Sequence, residues 1–234
     1  MRMRKKKNLE SRTEACGAYL MYMESEDLNF ETAKNNTSYL DFSEMFGNDN
    51  PVYLEIGCGK GQFVCELAKR KPDCNYIAVE KVANVIVSAA ERAKDESLPN
   101  VRFLKCGAEY LECFIPDHSI SGIFLNFSCP FPKKAYTSHR LTNERFLMIY
   151  KKLMKAGAEL HQKTDNMHFF EYSIEELTKC GFALKNVSLD LHGSDFEGNI
   201  VTEYENKFVS QGLPIYRLEA YLPEGRKSLQ RGKK

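Results

Sequence analysis

Glycines alternate at positions 57, 59 and 61, directly between an apolar run, Val52–Ile56, and a segment whose Phe63, Val64, Leu67 and Ala68 share one helical face. A strand that ends in such a turn and feeds a helix opens a βα unit, because glycine lets the backbone turn tightly and approach a ligand closely. The alternation then repeats. Strands are expected at 76–79, 101–104, 120–127 and 158–162, and helices at 62–70, 81–94, 142–156 and 166–180. Thr142 is a candidate cap for the third of these helices and Gly157 a candidate stop. Two late segments rich in Val, Leu, Ile and Tyr, 183–191 and 215–221, read as strands with no helix between them, which points to an antiparallel finish. The expected architecture is therefore an α/β fold with a mostly parallel sheet, helices on both faces and an antiparallel last strand.

The 234 residues suffice for one such domain, expected over 51–222. Residues 1–50 read as a basic and polar extension, partly disordered, with Gly47-Asn-Asp-Asn-Pro51 as the turn that ends it. Residues 223–234 read as a basic tail. The net charge of +1 hides this unevenness, since both Met1–Lys7 and Arg226–Lys234 are polybasic. Polybasic ends can follow a nucleic-acid backbone, and they are equally common as solvated tails. No apolar run is long enough to span a bilayer and no apolar stretch follows the basic start, so a cytoplasmic protein is expected. The eight cysteines form no C-x-x-C pair, which fits reduced thiols and leaves no metal site by spacing.

The ligand can be read from the acids around the glycines. The spacing is G-x-G-x-G, not the dinucleotide fingerprint G-x-G-x-x-G. Glu55 sits two positions before the first glycine, where a carboxylate suits a cation and repels a pyrophosphate. Glu80 ends the next strand, where a carboxylate accepts the two hydroxyls of a ribose. A nucleoside carrying a cation is S-adenosylmethionine, and Gly57, Gly59 and Gly61 would lie around it. A further contact, to adenine, is expected after the third strand, in Lys105-Cys-Gly107-Ala-Glu109. Gly107 offers only backbone there, so either the Ala108 N–H and a neighbouring side chain serve, or affinity is lower.

Later motifs are more specific. They are Asn126-Phe-Ser-Cys129-Pro-Phe131-Pro-Lys133-Lys134, His139-Arg-Leu-Thr142, Lys163-Thr-Asp165-Asn166, Thr202-Glu-Tyr-Glu205-Asn-Lys-Phe208 and Gly212-Leu-Pro-Ile-Tyr-Arg217. With Leu54-Glu-Ile-Gly-Cys-Gly-Lys-Gly-Gln-Phe63 and the start Met1-Arg-Met-Arg4, this series resembles the bacterial tRNA (guanine-N7-)-methyltransferases, in order from about residue 1 to about 220. The resemblance implies a Rossmann-like, seven-stranded methyltransferase fold. It implies methyl transfer from S-adenosylmethionine to a guanine N7 in the tRNA variable loop. Glu55, Glu80, the turn Gly57–Gly61, Gly107, Ala108 and Cys129 would hold the cofactor. Cys129 and Asp165 would be the catalytic candidates. Lys133, Asp165, Thr202, Glu203, Tyr204 and Glu205 would bind substrate, and Ala135, Tyr136, Thr137, Ser138, His139 and Arg140 would touch RNA.

Two departures from the family pattern stand out. Cys129-Pro-Phe131-Pro-Lys133 replaces Asp-Pro-Trp-Pro-Lys, and the basic segment after it is thinned to Lys134-Ala-Tyr-Thr-Ser-His-Arg140; position 107, normally an acid or amide, is a glycine here. Guanine N7 carries a free lone pair, so the reaction needs positioning and desolvation more than a strong base. Asp165 and Glu205 are the carboxylates expected to stabilise the positive charge that the ring gains. A neutral thiol at Cys129 cannot replace a carboxylate's charge. The alternative on these substitutions is a catalytically weakened tRNA-binding protein that keeps the fold. A monomer or homodimer is expected.

Overall fold

The computed structural model describes residues 8–23 and 38–223. Both polybasic ends and Asn35-Asn-Thr37 lie outside the described residues. In chain order the elements are α1 (Leu9–Ala15), β1 (Leu20–Tyr22), α2 (Phe42–Phe46), β2 (Val52–Ile56), α3 (Gln62–Arg70), β3 (Asn75–Val79), α4 (Ala83–Asp95), β4 (Val101–Lys105), α5 (Leu111–Phe114), β5 (Ile120–Asn126), α6 (Glu144–Leu153), β6 (Met154–Thr164), α7 (Met167–Lys179), β7 (Ala183–Ser188), α8 (Glu203–Val209) and β8 (Tyr216–Tyr221).

The strands form one sheet in the order β1-β4-β3-β2-β5-β6-β8-β7. All pairs from β1 to β6 are parallel, and β8 slots antiparallel between β6 and β7. Chain order runs outward from β2 in one direction through β3 and β4, and from β5 in the other through β6. The crevice outside the carboxyl ends of β2 and β5 is therefore the switch point where open α/β sheets bind ligands. The sheet is covered on both faces, as its continuous apolar strands require. On one face α3 and α4 bring Val64, Ala68, Ile86 and Ala90 onto Tyr76, Ala78 and Phe103. On the other, Leu147, Tyr150 and Phe170 of α6 and α7 pack with Leu54, Ile77, Ile123 and Leu160.

Four local expectations are corrected. Residues 20–22 of the extension add an eighth strand, pairing Leu20 with Phe103 and Tyr22 with Lys105; three residues are too short to carry a periodic signal. Asn143, not Thr142, caps α6, while Thr142 is buried with its hydroxyl 2.8 Å from that of Ser173. Gly157, at φ 77, does not end that helix; it lies inside β6, between the Met154 and Glu159 pairings where the register with β5 shifts. Finally, a helix, α8, does separate the last two strands. Its start is a capping box: Glu205 N–H donates to the Thr202 hydroxyl, and the Thr202 N–H to the Glu205 carboxylate.

Gly61 caps α3 at φ 74, and a Cβ there would lie 2.7 Å from the Cβ of Ala89 on α4. The third glycine of the turn thus permits close packing of the two helices. Gly61→Ala combines overpacking with a left-handed backbone, and a loss of about 3 kcal/mol is expected. A lower urea midpoint at unchanged m would report it.

Candidate active site

The carboxyl ends of β2 to β5 open on one cleft of about 690 Å³. Its walls are the glycine turn, Glu80, residues 106–109, the loop 126–131 and Thr202–Tyr204. Among the sequence candidates it gathers Glu55, Gly57, Gly59, Glu80, Gly107, Ala108, Cys129, His139, Thr202, Glu203 and Tyr204. Gly61, Lys133, Asp165, Glu205, Ala135–Ser138 and Arg140 lie outside this lining.

The turn is held from behind. Gly57, at φ 80, brings its own N–H and that of Cys58 to Val79 O at 2.8 and 3.1 Å, fastening β2's exit to β3's end. On β3's exit Glu80 accepts the Val82 N–H at 3.0 Å through Oε1, and Oε2 makes no hydrogen bond with the described residues. One carboxylate oxygen is thereby oriented and the other is left for a ligand.

Glu55 is 3% exposed. Its Oε1 accepts from Asn126 Nδ2 at 3.0 Å, while Oε2 is buried without a hydrogen-bond partner. Desolvation pushes its carboxyl up to about 7, against the Asn126 hydrogen bond, the charge of Lys163 and the nearby Val64 backbone N–H. A buried carboxyl with a spare oxygen, lining a cleft, lacks a cation or donor. The α-ammonium of a methionine moiety is such a group, and Glu80 beside it supplies a ribose acceptor, so these residues fit S-adenosylmethionine. Asn126 was not among the sequence candidates. Its signal was its place at the end of β5, beside β2, which strand order reveals and sequence spacing does not.

Behind the cleft lies a buried polar knot. Glu205 is fully buried, and its carboxylate accepts from Lys163 Nζ at 2.7 Å and from Asn199 Nδ2, with His192 Nε2 at 2.8 Å. Lys163 also donates to Asn199 Oδ1 and to Ile200 O. Burial alone would raise the Glu205 carboxyl, but the charge of Lys163 and these hydrogen bonds hold it below its ordinary value. Burial lowers the Lys163 ammonium, and Glu205 offsets only part of that. Glu205 thus faces inward and anchors the segment that carries Thr202–Tyr204 to the cleft. Gln62 of α3 latches the same segment, its Oε1 accepting the Glu203 N–H. The ring of Tyr204 stacks on Phe127, centroids 6.4 Å apart.

Asp165 follows the carboxyl end of β6. It does not cap α7, since Asn166 Oδ1 accepts the Phe169 N–H at 2.8 Å, and its own carboxylate makes no hydrogen bond with the described residues. Cys129 is exposed at the cleft rim. Lys133 is exposed and begins a turn of 3-10 helix, Lys134–His139. Ala135, Tyr136 and Ser138 of that turn are exposed and Thr137 is half-buried. Arg140 is engaged inward: it donates to Pro130 O at 2.9 Å and Phe131 O at 3.1 Å and lies over the Tyr172 ring. It thereby pins the loop in which Phe131 adopts φ 41, a costly backbone for an aromatic residue.

Elsewhere, Glu159, His161 and Glu219 place ligand-type atoms within 4.8 Å of one another on β6 and β8. Lys185 and Arg217 already pair with these carboxylates, so the group is a neutralised, partly buried ion-pair network of the sheet. Among the described residues no helix is long and apolar enough to cross a membrane.

Fold and cleft together define a Rossmann-like methyltransferase that uses S-adenosylmethionine. The family described as "Putative methyltransferase" matches residues 49–218. A protein of Listeria monocytogenes named tRNA (guanine-N(7)-)-methyltransferase is 51% identical over 177 residues, 76% of this chain and 83% of its own. One of Geobacillus thermodenitrificans, with the same name, is 49% identical over 180 residues, 77% of this chain and 83% of its own. Among solved structures, a SAM dependent methyltransferase from Aquifex aeolicus shares the fold, with TM-score 0.53 and 16% identity over 83% of this chain and 98% of that one. The chain belongs to the tRNA (guanine-N(7)-)-methyltransferase family.

Proposed function

We propose that this protein transfers a methyl group from S-adenosylmethionine to N7 of a guanine in the tRNA variable loop. The observation that carries the reading is the pair Glu55 and Glu80, two oriented carboxylates with spare oxygens at adjacent strand ends of one cleft. When bound, S-adenosylmethionine supplies an electrophilic sulfonium methyl group. Glu55 holds the ammonium end, and Glu80 accepts the ribose hydroxyls. Phe127 and Tyr204 wall the cleft and keep water from it. Asp165, at the carboxyl end of β6 and without a hydrogen-bond partner among the described residues, accepts the guanine N1–H and exocyclic amine and stabilises the charge that the ring gains. Lys133 and the exposed 134–139 turn meet RNA phosphates. The reading places the protein in the cytoplasm, as a monomer or homodimer working without a metal ion.

The test is methyl transfer from labelled S-adenosylmethionine to unmodified total tRNA, followed by nucleoside analysis. 7-Methylguanosine is the expected product. Cofactor binding without any transfer would favour the weakened tRNA-binding protein. Asp165→Asn is expected to lower kcat/KM about tenfold while leaving cofactor affinity unchanged, since it touches only the acceptor. A parallel loss of cofactor affinity would remove Asp165 from that role.

A further inference from the structure

The cleft beyond Glu80 has a gap in its chemistry. Residues 106–109, at the carboxyl end of β4, form the wall next to the ribose acceptor on the side away from β2, so a nucleoside whose ribose meets Glu80 and whose methionine end meets Glu55 carries its base against this wall. Cys106 and Ala108 are apolar there, and Gly107 has no side chain. The 6-amino group of adenine needs an acceptor, and leaving it unpaired in a desolvated wall carries a cost.

Glu109 supplies one. Its side chain folds back over Gly107 and fills the place where a side chain at 107 would begin. An ideal Cβ on Gly107 would lie 2.5 Å from Glu109 Oε2, 2.7 Å from Cδ and 3.1 Å from Oε1. Glu109 is half-buried and lines the same cleft, and its carboxylate makes no hydrogen bond or ion pair with the described residues. Gly107 is not in a left-handed conformation, its φ being −79, so its backbone does not demand glycine. The side-chain space at 107 is the space that Glu109 uses.

We propose that Glu109 is the residue that recognises the adenine of S-adenosylmethionine, its carboxylate accepting a hydrogen bond from the 6-amino group across the space that Gly107 leaves open. This rests on the assignment of the cleft to S-adenosylmethionine. Two consequences separate it from a merely structural role. Glu109 sets selectivity for a 6-amino over a 6-oxo purine, because a carboxylate accepts from an amine and repels a carbonyl oxygen. An acid at 107 would also reach into the space that the Glu109 carboxylate uses, so it can take over the role when Glu109 is shortened.

Calorimetric titration with S-adenosylhomocysteine and with its 6-oxo counterpart, S-inosylhomocysteine, reads both without turnover. The wild-type protein is expected to prefer the adenosyl ligand by at least tenfold. Glu109→Ala should weaken the adenosyl ligand about tenfold and leave the inosyl ligand unchanged. Glu109→Gln, whose amide can both accept and donate, should bring the two ligands to within about threefold of each other. In the Glu109→Ala background, Gly107→Asp should restore adenosyl binding. Equal weakening of both ligands by Glu109→Ala, or no weakening of either, would overturn the role of Glu109 while leaving the cofactor assignment standing. A wild-type protein that binds neither ligand would overturn the cofactor assignment itself, and the role of Glu109 with it.

Discussion

Glu205→Ala is expected to lower the melting temperature by roughly 10 °C. The carboxylate is fully buried and is the only anion hydrogen-bonded to Lys163 among the described residues. Removing it leaves a buried ammonium uncompensated, which typically costs about 3–5 kcal/mol. For a chain of this size each kcal/mol corresponds to about 2–4 °C. Asn199, His192 and the Thr202 N–H lose their acceptor in the same step. If the orphaned charge dominates, the double variant Lys163→Met, Glu205→Gln should recover most of the lost stability. A single variant within 1 kcal/mol of wild type would refute the account. The effect should also depend on pH with a definite sign. The folded carboxyl lies below its ordinary value, so its stabilisation is present above the usual carboxylate range and disappears as pH falls through the folded value. Wild type and variant should therefore converge in acid. Activity should fall more than stability predicts, because Thr202–Tyr204 lose their anchor at the cleft.

The second large effect concerns Glu55. With its carboxyl at about 7 in the ligand-free protein, half of the molecules carry a neutral acid at neutral pH. A ligand ammonium binds the ionised form, so binding lowers the pKa and releases a proton. Affinity for S-adenosylhomocysteine should rise by up to tenfold per pH unit between about 5 and 7, then level off. Over that range the ligand's own α-amino group, with a pKa of about 7.7–8.0, remains charged. Calorimetry at pH 6 in buffers of different ionisation enthalpy should register the released proton. Glu55→Gln should abolish the pH dependence and bind about 100-fold more weakly at pH 7.5, the scale of truncating one side of a buried charge pair. A variant that retains the slope would place the titrating group elsewhere.

Much of this architecture is legible in the sequence, for identifiable reasons. The turn at Gly57–Gly61 and the runs around Ile77, Phe103 and Ile123 carry their periodicity over enough residues to be read locally. The carboxylates Glu55 and Glu80 fall at strand ends, and a strand end is a local property. What escaped reading depends on neighbours distant in the chain. Asn126 matters through its hydrogen bond to Glu55, and Lys163 through its contacts with Asn199, Ile200 and Glu205. Thr142 has the composition of a cap, but the buried hydroxyl of Ser173 competes for it. Glu205 reads in sequence as a substrate-facing carboxylate, whereas it is buried against Lys163; the capping box that begins at Thr202 is the signal that places it at a helix start. Glu109 is readable only from the space beside it, which a one-dimensional pattern cannot convey.

The edge strand β1 also bears on how the chain is made. Its residues are made well before the backbone groups they pair with, which belong to residues 103–105. Through the synthesis of all that lies between, Leu20 and its neighbours have no sheet to join and present an unpaired edge. The sheet must grow outward from β2, and its earliest-made strand docks only after β3 and β4 are in place. β8, made after both of its neighbours, brings β7 into the sheet, because β7 pairs with β8 alone. Both margins of the sheet therefore close through contacts of long sequence separation, which set the pace of folding. Deleting β1 or the β7–β8 pair would leave an open margin, and aggregation during expression, rather than loss of catalysis, would be its first symptom.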